Sequence, residues 1–68
     1  MSLNIRLNGE PAETGAKNLG ELCTMLGFEP GAKIATAVNG DFVPEAARGE
    51  QRLIPEDEIE IVAPRQGG

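Results

Sequence analysis

The chain has 68 residues, with 6 basic and 11 acidic side chains, a formal net charge of −5, a single cysteine and no histidine. A domain this short buries only about 60% of the surface its unfolded form exposes, which leaves no room for both a packed core and an enclosed substrate pocket and argues for a protein that works through its surface or an end. The acidic balance disfavours nucleic acid and anionic lipid, whose binding rests on Lys and Arg neutralising phosphates, and one cysteine without histidine rules out intrachain disulfides and Cys/His metal sites.

Leu3, Ile5 and Leu7 alternate with Asn4 and Arg6, the period of a half-buried strand. Asn8-Gly9 then predicts a type I′ hairpin turn, which needs positive φ at both central residues. The return segment, Glu10 to Thr14, is polar and holds Pro11; a proline cannot donate to a ladder, so this is an edge strand. Asn18 is placed to cap a helix, with Glu21 three residues on completing a capping box. Leu19, Leu22, Cys23 and Leu26 form one helical stripe, Gly27 ends it, and Gly20 falls on the opposite face, where it weakens the helix by about 1 kcal/mol relative to alanine.

Ile34 to Val38 reads as a strand of small apolar residues, Asn39-Gly40 as a second hairpin turn, and Asp41-Phe42-Val43 as its return to Pro44. The parity of this hairpin stays open: Thr36, Val38 and Val43 fit one face, and Ala35, Ala37 and Phe42 the other. Glu45 to Gln51 is an irregular crossing with a helical turn, Leu53 and Ile54 a short strand or anchor, and Pro55-Glu56-Asp57 a turn. Glu58 to Val62 alternates again as a last strand, which Pro64 breaks. The order of hairpin, helix, hairpin, crossing and strand predicts an α+β domain over residues 1–62, a mixed sheet of four or five strands packed on one main helix, followed by a flexible tail over 63–68.

Ala63 to Gly68 contains no large apolar residue, and fully extended these six residues reach about 20 Å. The chain ends in Gly67-Gly68. A C-terminal carboxylate is ionised at neutral pH and is a poor electrophile, because the anion repels nucleophiles and offers no leaving group. Coupling to AMP cures both faults. Such activation needs a narrow tail that can thread into another enzyme's nucleotide site, and glycine, without a Cβ, supplies it. Glycine makes up 9 of 68 residues and chain ends are often glycine-rich, so the pair gains its meaning from the strand that stops just before it.

Three stretches, Leu7-Asn8-Gly9-Glu10, Val38-Asn39-Gly40-Asp41-Phe42-Val43-Pro44, and Asp57-Glu58-Ile59-Glu60-Ile61-Val62 leading to Gly67-Gly68, resemble the ThiS/MoaD family of ubiquitin-like β-grasp sulfur carriers, and most of all its thiamine-biosynthesis branch. The likeness runs over nearly the whole chain; a slightly long first hairpin and the charged Arg65 in the tail depart from the pattern. The resemblance implies a protein cosubstrate, not an enzyme. A ThiF-type enzyme would use ATP to adenylate Gly68, sulfur ultimately from cysteine would convert it to a thiocarboxylate, and a ThiG-type thiazole synthase would take that sulfur into the thiazole ring of thiamine. Gly68 would be the modified residue and Gly67 required for transfer, with Ala63, Pro64, Arg65, Gln66 and Phe42 contacting partners. The chain itself would bind no metal or cofactor, and it would be monomeric when free. Two other readings stay open: the small subunit of molybdopterin synthase, and a ubiquitin-like modifier or plain interaction module.

Cys23, on the helix stripe, is expected to be core, since buried cysteine behaves as a small hydrophobe. Phe42 and Val43 are read either as core or as an exposed apolar patch that docks the adenylating enzyme. Glu56, Asp57, Glu58 and Glu60 lack the clustering of a calcium loop and read as a solvated strand face and turn. No apolar run approaches the ~20 residues that span a membrane, the first residues lack the features of a signal peptide, and a small domain without disulfides suits a reducing cytosol.

Overall fold

A computed structural model describes residues 2–29 and 31–64. Five strands, β1 (Leu3–Leu7), β2 (Glu10–Thr14), β3 (Ala35–Val38), β4 (Asp41–Val43) and β5 (Glu58–Val62), form one mixed sheet in the order β2-β1-β5-β3-β4. One helix, α1 (Leu19–Met25), and a 3₁₀ segment, Glu45–Glu50, complete the domain. β5 is central. It runs parallel to β1, with Arg6 beside Glu58 and Leu7 beside Ile59, and antiparallel to β3, from Val38 beside Ile59 to Ala35 beside Val62. The first and last strands of the chain thus lie side by side, and β2 with its Pro11 takes an edge.

Local chemistry explains the connections. Both Asn-Gly pairs make type I′ turns, with φ of 51° and 85° at Asn8 and Gly9 and 53° and 87° at Asn39 and Gly40. The backbone N–H of Glu21 donates to Asn18 Oδ1 at 2.8 Å, capping α1 as expected. The Glu21 carboxylate reaches back one residue further than a standard capping box, accepting from Lys17 N–H at 2.9 Å. At the other end Gly27 (φ 97°) donates to the Thr24 carbonyl and Phe28 to that of Cys23, both at 3.0 Å, a Schellman motif.

The core lies between the inner face of the sheet and α1. Ile5, Ile59 and Ile61 face Leu19, Leu22 and Cys23, and Leu53 and Ala16 close the rim. Two expectations for α1 change. Leu26 leaves the stripe: it is the C-cap residue and is exposed, because the helix ends one residue before it. Gly20 is not on an idle face either: it faces the 3₁₀ segment, where a methyl would make ordinary contact with Gly49 Cα at 3.5 Å but crowd the capping Asn18 Oδ1 at 3.2 Å. The start of α1 is held to the strand-like stretch after that segment by Leu19 N–H to the Gln51 carbonyl (2.9 Å) and Leu53 N–H to the Lys17 carbonyl (3.1 Å).

Asp57 also departs from its expected place. It is 4% exposed, not part of a solvated face. Its Oδ1 accepts from Asn39 Nδ2 and its Oδ2 from the Ile54 N–H, each at 2.9 Å. A buried carboxylate needs such partners, and these tie the turn before β5 to the β3–β4 turn. Among the described residues, no helix is long and apolar enough to cross a membrane.

Candidate functional site

The β3–β4 hairpin resolves its parity through three side chains. Thr36, Val38 and Val43 are buried against the core, and Thr36 is the most enclosed of them. Its hydroxyl donates to the Val43 carbonyl at 2.7 Å and accepts from Arg48 Nε at 3.0 Å, while Arg48 Nη2 donates to the Ile34 carbonyl at 2.8 Å. The hairpin is therefore pinned from beneath by the 3₁₀ segment, an attachment that local patterning does not reveal. Ala35 and Phe42 take the outer face, and Phe42 is 68% exposed. Val43, in contrast, is core and no part of an exposed patch.

The outer face of the sheet is built from alternate residues of each strand. Phe42 on β4 pairs across β3 with Ala37, Ala37 with Glu60 on β5, and Ala35 with Val62. Val62 is exposed, as are Glu58 and Glu60 before it. An apolar strip thus runs from Phe42 over Ala37 and Ala35 to Val62, with acidic side chains along one flank. Beyond Val62, Ala63 and Pro64 are exposed, and Pro64, Val62 and Ala35 line a shallow apolar groove with Ile34 and Lys33. The strip leads to the point where the chain leaves the sheet.

Of the residues assigned to partner contact or transfer, the structure brings Phe42 and Pro64 to this one face, and Ala63 is exposed between Val62 and Pro64. Arg65, Gln66, Gly67 and Gly68 lie outside the described residues. Two residues whose side chains bond to the strands of this face, Asn8 to Ile61 of β5 and Arg48 to Thr36 of β3, were not singled out by sequence reasoning. The strong turn signal of Asn8-Gly9 conceals the side chain's own bonds to β5, and Arg48 sits in a stretch with no periodicity.

Cys23 is a free thiol buried in the core. Burial pushes its pKa up, against a weaker opposite pull from the Arg48 guanidinium, so the thiol stays protonated at neutral pH and is a poor nucleophile. Among the described residues no group of three or more His, Cys, Asp or Glu is arranged to hold a metal ion. What this arrangement offers chemically is an exposed apolar strip flanked by acids, next to the point where the chain leaves β5, and, among the described residues, no group placed to act as a nucleophile.

A five-stranded mixed sheet with one helix across it and a C-terminal segment leaving the central strand defines a ubiquitin-like β-grasp carrier. The chain matches the ThiS family over residues 5–68, and it belongs to that family of small sulfur-carrier proteins. It is similar to a thiamine biosynthesis protein (ThiS) from Geobacter metallireducens. The crystal structure of that protein superposes with a TM-score of 0.79 at 25% identity, covering 97% of this chain and all of the other. A solution NMR structure of the Geobacter metallireducens protein gives a TM-score of 0.81 at the same 25% identity, over 97% of this chain and 88% of the other. No curated protein sequence matches the chain.

Proposed function

We propose that this protein carries sulfur on Gly68 for the thiazole ring of thiamine. The observation that carries the reading is the family match, which extends through residue 68, joined to an exposed apolar strip that ends where β5 releases the chain. The Gly68 carboxylate attacks the α-phosphorus of ATP held by a ThiF-type enzyme, and pyrophosphate leaves. Hydrosulfide released by the sulfur donor then adds to the acyl carbon, AMP departs with the electron pair of the broken C–O bond, and loss of the S–H proton leaves a thiocarboxylate. A ThiG-type thiazole synthase receives the sulfur. The chain contributes no catalytic group and binds no cofactor; ATP belongs to the partner. It works as a monomer when free, in the cytoplasm, where its one buried thiol has no disulfide to make.

The test is intact-mass spectrometry after incubation with ATP, a ThiF-type enzyme and a sulfur donor. The expected result is the gain that replaces one oxygen by sulfur, located at Gly68. No gain with the native partner set overturns the reading. Genomic neighbours then separate thiazole from molybdopterin use.

The exposed strip makes a second expectation. Phe42 is the largest apolar group on it, and aromatic anchors carry a disproportionate share of interface energy. Phe42→Ala should raise the KM of adenylation about tenfold with kcat held, while stability changes by less than about 0.5 kcal/mol, as at other exposed positions. Steady-state kinetics against carrier concentration measure this, and a KM within about twofold of wild type removes Phe42 from the docking face.

A further inference from the structure

A type I′ turn needs positive φ at residue 8, which asparagine tolerates. It does not need the side-chain amide, and here that amide is committed to β5. The backbone of β1 pairs with β5 only at Arg6 and Leu7. Asn8 N–H donates to the Ile59 carbonyl at 2.8 Å, and the chain then turns away into the hairpin. The next groups of β5 facing that side are the N–H and C=O of Ile61. Asn8 Oδ1 accepts from Ile61 N–H at 2.9 Å, and Asn8 Nδ2 donates to the Ile61 carbonyl at 3.3 Å. A primary amide offers the same donor and acceptor as a peptide group, so the side chain stands in for the next residue of β1.

We infer that Asn8 is a positioning residue for sulfur transfer: its side-chain amide completes the β1 flank of β5 at Ile61 and thereby fixes the direction in which the chain leaves the sheet toward Gly68. On the opposite flank Val62 is held by its pairing with Ala35. Without the amide, Ile61 sits on an open edge and only β3 restrains the last residues of the strand. The departure direction then spreads, and the Gly68 carboxylate stands in line with bound nucleotide in a smaller fraction of complexes. The inference rests on the carrier reading above. It concerns alignment after docking, so it acts on kcat and not on KM.

The start of β5 supplies a control. Asn39, in the other type I′ turn, accepts from Glu58 N–H with Oδ1 and donates to Asp57 Oδ1 with Nδ2, both at 2.9 Å. It grips the strand at the end remote from Val62.

Asn8→Gly keeps the positive φ and deletes only the amide; Asn8→Asp keeps the turn and loses the Nδ2 donor. Asn39→Gly removes the matching pair of bonds at the far end. Amide hydrogen exchange, melting temperature and ATP–pyrophosphate exchange with a ThiF-type enzyme are measured on all three and on wild type. Asn8→Gly should lose protection at Ile61 and about tenfold in kcat, with KM within about twofold. Asn8→Asp should show the same kcat-only loss. Asn39→Gly should be destabilised at least as much and hold kcat within about twofold. An unchanged kcat in folded Asn8→Gly, or an equal loss in Asn39→Gly, overturns the positioning role. If Asn8→Gly does not fold, Asn8→Asp against Asn39→Gly decides it in the same way. Absence of any exchange with wild type removes the carrier reading and this role with it, whereas an active wild type beside an unimpaired Asn8 variant removes the role alone.

Discussion

Deleting Gly68, adding one residue after it, or changing Gly67 to valine should each abolish thiocarboxylate formation, a loss of at least about 100-fold in rate, and leave the domain as stable as wild type. The physical ground is separation of duties along the chain. Among the described residues, every member of the buried core lies at or before Ile61, and the backbone ladder closes at Val62. The chemistry of the proposed transfer, in contrast, occurs at one acyl carbon. Valine at 67 places a branched Cβ where the chain must thread a channel next to the reacting carbonyl, and an added residue moves the carboxylate away from the α-phosphorus. Melting curves and intact mass after the ATP reaction read the two halves separately. Retained sulfur loading in any of the three variants, or loss of folding in Gly67→Val, contradicts the prediction.

Ile59→Ala should be the most damaging core truncation. Ile59 is fully buried on the central strand. Isoleucine to alanine at such a site costs about 2–5 kcal/mol, because a packed interior refills the space only partly. A domain of this size has a total stability of roughly 3–10 kcal/mol, so the variant should be partly unfolded at 25 °C or lose more than about 10 °C in melting temperature. Ile54, of the same type but 60% exposed, is the comparison, and its alanine variant should stay within about 0.5 kcal/mol of wild type. Urea denaturation measures both. A cost below about 1 kcal/mol for Ile59→Ala would mean that the core collapses around the gap.

What was legible in the sequence was local chemistry. Asn-Gly before a polar return strand, Asn18 with Glu21, and Gly27 after a helical stripe each act within a few residues, and each structure formed where expected. β1 and β5 were readable as the sheet's centre because both alternate cleanly. The features that escaped depend on which segments meet. The parity of Thr36 and Phe42 is decided by Arg48 and by pairing with β5, neither of which leaves a mark in the hairpin. Asp57 looks like one more acid in a run of acids until Asn39 and the Ile54 N–H enclose it. Leu26 continues the helical period, yet the Schellman motif at Gly27 stops the helix first. The apolar strip could be read only as one of two alternatives, since Phe42 alone does not reveal that Ala37, Ala35 and Val62 lie beside it.

The strand order has a consequence for how the protein is made. Among the described residues β5 is the last element and the only strand between β1 and β3. Without it the sheet falls into two hairpins that share no ladder, and an isolated hairpin is marginal in water. The parallel pairing of β1 with β5 joins residues about as far apart as this chain allows, so closure waits for nearly all of it. A nascent chain on the ribosome therefore cannot form the proposed docking face before β5 has emerged. Prematurely terminated products that lack the strand should be removed as unfolded chains, and should not survive to occupy partner enzymes with a face that has nothing to deliver.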